Sequence, residues 1–182
     1  SKRDDLPTIN TSAPAYGRKA VIYSTCTSEY NAADLGLAAA QVLAKNGVVT
    51  QFVYPGCCGM PQLEHGDISS VANSAKTIAA EMVGWIDKGY DVVSPVASCS
   101  LMLKFEWPLI EPEDENIKKL SGSTFDVSEY LVDISVKEGI ASGLKPIDGG
   151  ITLHIACHAR AQNMGRKGAE MLKLIPNTQG NV

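Results

Sequence analysis

Four short runs of β-branched and aromatic residues, 19–25, 48–54, 91–96 and 151–155, are each followed closely by cysteine. Runs of this length and make-up read as buried strands. The stretches between them have helical periodicity. Leu35, Ala39, Val42 and Leu43 recur at helical spacing after Asn31, which with Asp34 resembles a capping box, and Gly47 ends that helix. Asp67 caps a second helix, whose apolar face runs Ile68, Val71, Ala75, Ile78, Met82 and Ile86 before Gly89. A third starts at Ser98 or Cys99 and stops before Pro108, and Asp126 with Glu129 opens a fourth through Lys137 to Gly139. Strands alternating with helices in this way predict an α/β fold: a parallel sheet with flanking helices and right-handed crossovers. In such a sheet the carboxyl ends of all strands share one edge, where open α/β folds bind their ligands. Cys26, the pair Cys57–Cys58, Cys99 and Cys157 all fall just beyond a predicted strand. Thiols far apart in sequence are therefore expected together at that edge.

The adjacent pair lies in Pro55-Gly56-Cys57-Cys58-Gly59-Met60-Pro61. Glycine and proline break helices and strand interiors, so the segment is a tight loop that points two thiols at one object. Three readings of the pair stand open: a vicinal disulfide, two packed structural thiols, and a metal or cluster site. Neighbouring Cα atoms lie ~3.8 Å apart, closer than the ~4.4–6.8 Å a relaxed disulfide spans. Free cysteine packs as a small hydrophobe, but the flanking glycines argue against burial inside an element.

Other features narrow the class. A chain of 182 residues builds one domain with a real core. A net charge of -4 gives no general pull toward nucleic acid or an anionic membrane. No apolar run approaches the ~20 residues of a membrane span, and no signal peptide opens the chain, so a cytoplasmic setting is expected. Five cysteines, an odd count, fit metal-binding or redox thiols better than a closed disulfide framework. No glycine-rich phosphate loop, Ser-His-Asp order or paired-carboxylate signature is present.

The polar, proline-bearing stretch 1–17 reads as a linker or tail. Residues 18–148 read as one complete unit. Strand 151–155, Cys157 and a helical stretch from Met164 to Ile175 repeat the opening pattern of strand, Cys26 and helix, so 149–182 read as the start of a truncated second unit. The chain is expected to be part of something longer.

Lys19-Ala-Val-Ile-Tyr-Ser-Thr-Cys26, Cys57-Cys-Gly-Met-Pro61, Cys99 through Trp107-Pro108, and His154-Ile-Ala-Cys-His158 together resemble the cysteine-rich CCG domain family. Members include the iron-sulfur subunit of anaerobic glycerol-3-phosphate dehydrogenase, to which these motifs look closest. The CCG-bearing subunit of heterodisulfide reductase and the iron-sulfur subunits of glycolate- and lactate-oxidising complexes are others. The family pattern is a cysteine after a first strand, a long gap, Cys-Cys-Gly, a second long gap and another cysteine.

The resemblance implies an electron-transfer module with an iron-sulfur cluster at Cys26, Cys57, Cys58 and Cys99, and with Cys157 opening the second repeat. It implies as partners a flavin dehydrogenase or other redox subunit, and a ferredoxin-type iron-sulfur domain in the same full-length chain. The heterodisulfide reductase relatives carry non-cubane clusters that use a Cys-x-x-Cys pair. Here Cys99-Ser-Leu-Met102 puts a thioether in the fifth place, and Met102 reads as packing. Four thiolates remain, the usual set for a 4Fe-4S cubane. His154 reads as a packed strand residue, His158 as a candidate contact to cluster or substrate, and His65 as a solvated loop residue. Arg160 and Arg166 read as solvated charges, and the acidic run from Glu111 to Glu115 as an exposed loop. The competing class is a structural zinc module held by the same four thiolates, although such sites usually draw on short Cys-x-x-Cys knuckles.

Overall fold

The computed structural model describes residues 6–181. Four strands, β1 (Lys19–Tyr23), β2 (Val49–Val53), β3 (Asp91–Ser94) and β4 (Thr124–Asp126), form one parallel sheet in the order β2-β1-β3-β4. β1 is therefore central, with Ile22 opposite both Phe52 and Val93. Alternation along β1 feeds two cores, as a sheet covered on both faces requires. Val21 and Tyr23 face one core with Val92, Ala75, Ile78, Met82 and Trp107. Ala20 and Ile22 face the other with Leu43, Val93, Tyr130 and Ile134.

The helices that cover these faces follow their apolar spacing. α1 (Ala33–Lys45) buries Gly36, Ala39, Ala40, Leu43 and Ala44 on one side of the sheet, beside α7 (Val127–Lys137). α3 (Ile68–Ile86) buries Val71, Ala75, Ile78, Ala79 and Met82 on the other, and its cap Asp67 accepts from Ser70 N. The capping box expected of Asp126 and Glu129 is present at the start of α7. Asn31 caps nothing: α1 emerges from a π-helical turn over Thr27–Asn31, and Ala32, which precedes α1, makes no side-chain cap. The segment before β1 lies against the end of α1, with Asn10 N donating to Ala44 O at 2.9 Å and Ala15 only 2% exposed. Positions 1–5 of the tail read over 1–17 lie outside the described residues.

Two expectations are corrected. The helix after β3 does not stop before Pro108. It runs as α4 (Ala97–Leu101), a π-helical turn (Met102–Glu106) and α5 (Trp107–Ile110). A proline inside a helix frees the carbonyl four residues back. That carbonyl, Lys104 O, takes a hydrogen bond from Ser121 Oγ at 2.6 Å instead, from α6 (Glu115–Gly122).

The fourth strand of the sheet is β4 and not residues 151–155. Only β5 (Ile151–Thr152) forms there, and it pairs with β6 (Gly180–Asn181) in a separate two-stranded parallel ladder. β4 is three residues long, too short for an alternation pattern to stand out. The remaining helices are α2 (Met60–Glu64), α8 (Cys157–Ala161) and α9 (Lys167–Leu172).

Candidate functional site

Cys26 follows β1, Cys57 and Cys58 lie in the loop after β2, and Cys99 stands in the first turn after β3. The parallel order brings these three strand ends together, and the four thiols form a row in which Cys57 interacts with both Cys26 and Cys58, and Cys58 with Cys99. At the inner end the sulfurs of Cys58 and Cys99 are 3.1 Å apart. Those two residues are buried, at 3% and 4% exposure, while Cys26 and Cys57 keep partial contact with solvent.

Each arm of the row is pinned locally. Thr25 N donates to Ser28 Oγ (2.9 Å) and Ser28 N to Thr25 Oγ1 (3.0 Å), a reciprocal pair that encloses Cys26 as the chain enters its π-helical turn. The Cys-Cys-Gly loop is held by two fully buried aromatic donors: Tyr23 OH to Gly56 O at 2.7 Å, and Trp107 Nε1 to Cys58 O at 3.0 Å. Gly59, at φ 84°, leads into α2 in a left-handed conformation that glycine adopts without strain. Met102 is fully buried, in the same core as Cys58, Cys99 and Trp107.

Three of the four, Cys26, Cys57 and Cys58, resist ionisation as neutral thiols. The bond to Cys58, and then burial, push the Cys57 thiol well up. For Cys58 the bond to Cys57 pulls downward, but contact with Cys99 and burial prevail and leave it at about 12. Burial and the neighbouring Cys57 raise Cys26 in the same direction. Crowded thiols without a cation disfavour a second negative charge, and a bound cationic centre reverses that balance.

The donor set itself is soft sulfur throughout, which suits iron-sulfur clusters and zinc alike. Among the described residues, no group of three His, Cys, Asp or Glu side chains closes around the position of a single metal ion.

Cys157 does not join them. It is exposed at the start of α8, beyond β5 and outside the four-stranded sheet, so the expectation of five cysteines on one sheet edge holds for four. Its neighbour His158 does reach the site's periphery: Nδ1 lies 2.7 Å from Ser98 Oγ, next to Cys99. Gln162, 1% exposed, donates from Nε2 to Ala97 O and Ser100 Oγ, and Ser100 Oγ donates to Asp126 Oδ2 at 3.1 Å.

His154 is exposed rather than packed, because β5 ends before it. His65, Arg160 and Arg166 are exposed. In the acidic run, Glu111 pairs with Lys76 at 2.9 Å and Asp114 caps α6. The sequence marked Ser98 only as a helix start and Tyr23 and Trp107 only as parts of motifs, and it gave no sign of Gln162, since each acts here through a partner distant in sequence.

A groove of about 340 Å³ opens beside Cys57, walled by uncharged Gln62, Ser70, Asn73, Ser74 and Thr77. A larger apolar cavity of about 500 Å³, between α1, α7 and α9, has no cysteine in its wall.

A parallel α/β domain that gathers thiols from three strand ends, two of them in a Cys-Cys-Gly loop, belongs to the class of cysteine-rich domains. The family profile described as "CCG: Cysteine-rich domain" matches residues 20–104, and that part of the chain is a domain of this family. The chain is 30% identical over 167 residues to "Lactate utilization protein A" of Geobacillus kaustophilus (strain HTA426), covering 89% of this chain and 66% of the relative. The proteins of the same name from Geobacillus thermodenitrificans (strain NG80-2) and Bacillus subtilis (strain 168) are 29% and 26% identical with the same coverage. The chain thus spans 66% of the length of these relatives. No solved structure gives a significant match. No helix among the described residues is long and apolar enough to cross a membrane.

Proposed function

We propose that the chain is an iron-sulfur-binding electron-transfer domain of a multi-subunit oxidoreductase, with Cys26, Cys57, Cys58 and Cys99 as the cluster ligands. The observation that carries this reading is the row of four thiols assembled from three strand ends, with sulfur as the whole donor set. A bound cluster supplies reversible one-electron storage at a potential set by its surroundings. The chain's own residues do the rest. Cys58 and Cys99 hold the inner end away from water, and Tyr23 and Trp107 fix the loop carbonyls so that its thiols keep their direction. Cys26 and Cys57, partly exposed, form the edge nearest a redox partner.

The names of the relatives support a place in lactate utilisation, with hydroxy-acid chemistry on a flavin or other redox subunit. The glycerol-3-phosphate dehydrogenase and heterodisulfide reductase types share the motif and are the other settings. A ferredoxin-type domain elsewhere in a full-length chain is the natural electron relay. Residues 18–148 are the first repeat and 149–182 the start of a second, for which Cys157 is the first ligand. The thiols come from loops far apart in sequence and not from short Cys-x-x-Cys knuckles, which favours a polynuclear cluster over a structural zinc ion.

Anaerobic reconstitution with iron and sulfide tests this reading. The expected result is broad visible absorbance and roughly four irons per site. Cys26→Ser, Cys57→Ser, Cys58→Ser and Cys99→Ser should each reduce the absorbance strongly, while Met102→Leu should leave it nearly unchanged. Iron and zinc are to be measured on the same sample. Uptake of zinc without iron overturns the redox reading.

A further inference from the structure

We propose that Cys58 and Cys99 are a redox-active dithiol that closes to a disulfide when the site holds no cluster, and that Cys57 admits the oxidant. The bond itself does not depend on the cluster reading. Its consequence, that a closed pair cannot accept iron, rests on that reading.

The sulfurs of Cys58 and Cys99 are 3.1 Å apart across 41 positions of sequence, and a disulfide needs them at about 2.05 Å. The sulfurs have to approach by about 1 Å to close the bond. The vicinal alternative is poorer. Cα atoms of adjacent residues are held at ~3.8 Å, below the relaxed disulfide range, and strain makes such a bond easy to exchange. Access runs the other way. Cys58 and Cys99 are buried, whereas Cys57 is partly exposed and in contact with Cys58. The oxidant therefore enters at Cys57 and the stable bond forms further in.

With hydrogen peroxide as oxidant, the Cys57 sulfur, in the small fraction of molecules where it has lost its proton, takes one peroxide oxygen. The O–O bond breaks, hydroxide leaves as water, and a sulfenic acid remains. The Cys58 sulfur attacks the Cys57 sulfur, forming the vicinal S–S bond and expelling the second water. The Cys99 sulfur then attacks the Cys58 sulfur, and Cys57 returns as a thiol. Overall, two thiols lose two electrons and two protons, and one peroxide becomes two waters. Relief of the strained vicinal bond drives the last exchange.

The test is peptide mapping of reduced, metal-free protein treated with equimolar hydrogen peroxide, with the remaining thiols alkylated before non-reducing digestion. The expected product links Cys58 to Cys99, with Cys26 and Cys57 alkylated. Cys57→Ser should slow its formation by about tenfold or more, because the accessible thiol is gone, yet give the same product. Cys99→Ser should stop at the vicinal bond. A stable Cys57–Cys58 or Cys26–Cys57 link in the unaltered protein overturns the proposal, as does an unchanged rate in Cys57→Ser. In a parallel arm, oxidised protein should take up no iron until dithiothreitol is added, while reduced protein loads directly. If the oxidised protein loads as readily as the reduced, the proposed block on loading is wrong. If the reduced protein itself takes no iron, the cluster reading fails while the disulfide map is judged on its own.

Discussion

Trp107 gives its indole N–H to Cys58 O at 3.0 Å, and both residues are buried. The bond crosses 49 positions, so it joins the loop after β2 to the helix after β3 directly behind the thiols. Trp107→Phe keeps an aromatic ring but removes the donor, and leaves a buried carbonyl without its partner. Such a loss costs about 1–3 kcal/mol. Urea unfolding of the reduced, metal-free variant should show it as a lower midpoint with an unchanged slope. An unaltered midpoint would mean the carbonyl finds another partner and the loop is not held from behind. Tyr23, the companion donor, sits at the end of the central strand and does the same for Gly56.

Helix continuity through Pro108 is a property of an element. The widened turn over Met102–Glu106 and the hydroxyl of Ser121 let the chain keep helical direction where a proline removes a bond. Ser121→Ala should therefore cost about 1 kcal/mol of stability by chemical denaturation, while Ser121→Thr, which retains the hydroxyl, should cost less. Equal stability of both variants with the parent would show that Lys104 O needs no side-chain partner.

The same helix marks where sequence reading ran out. The long helices were legible because Val71, Ala75, Ile78 and Met82 repeat on one face, and Asp126 with Glu129 announced α7 by local chemistry alone. Pro108 misled because its compensation comes from Ser121, a residue with no local signal. β4 went unread because three residues carry no period, and its strand identity comes from pairing with β3. Four of the five cysteines could be placed because alternating strands and helices imply a parallel sheet whose carboxyl ends share one edge. Cys157 could not, because β5 pairs with the chain's own end instead of with the main sheet.

The whole molecule is unevenly held together. Among residues 140–180 only Gln162 and Ala169 are buried, whereas β1 is buried along nearly its whole length. The later segment is attached by α9 packing on α7 and by the bonds of His158 and Gln162 to the start of α4. Thin burial means low local stability. Native-state hydrogen exchange should show amides of 140–180 exchanging well before those of β1 and β3, with the Gln162 region the slowest part of that segment. Uniform protection across the chain would contradict this division.

The sheet order also fixes a timetable. β1 is made first but sits between β2 and β3, so its partners on the two sides arrive in turn as synthesis proceeds. Apart from the adjacent Cys57 and Cys58, no two of the four thiols meet until a crossover has folded back onto β1. Cys99 enters only with the last of these pairings that involve β1. Parallel pairings of this kind form late and slowly compared with local contacts. A nascent chain therefore exposes its thiols one by one before it offers a site. If the site takes iron as proposed, delivery has to wait until β3 has paired with β1.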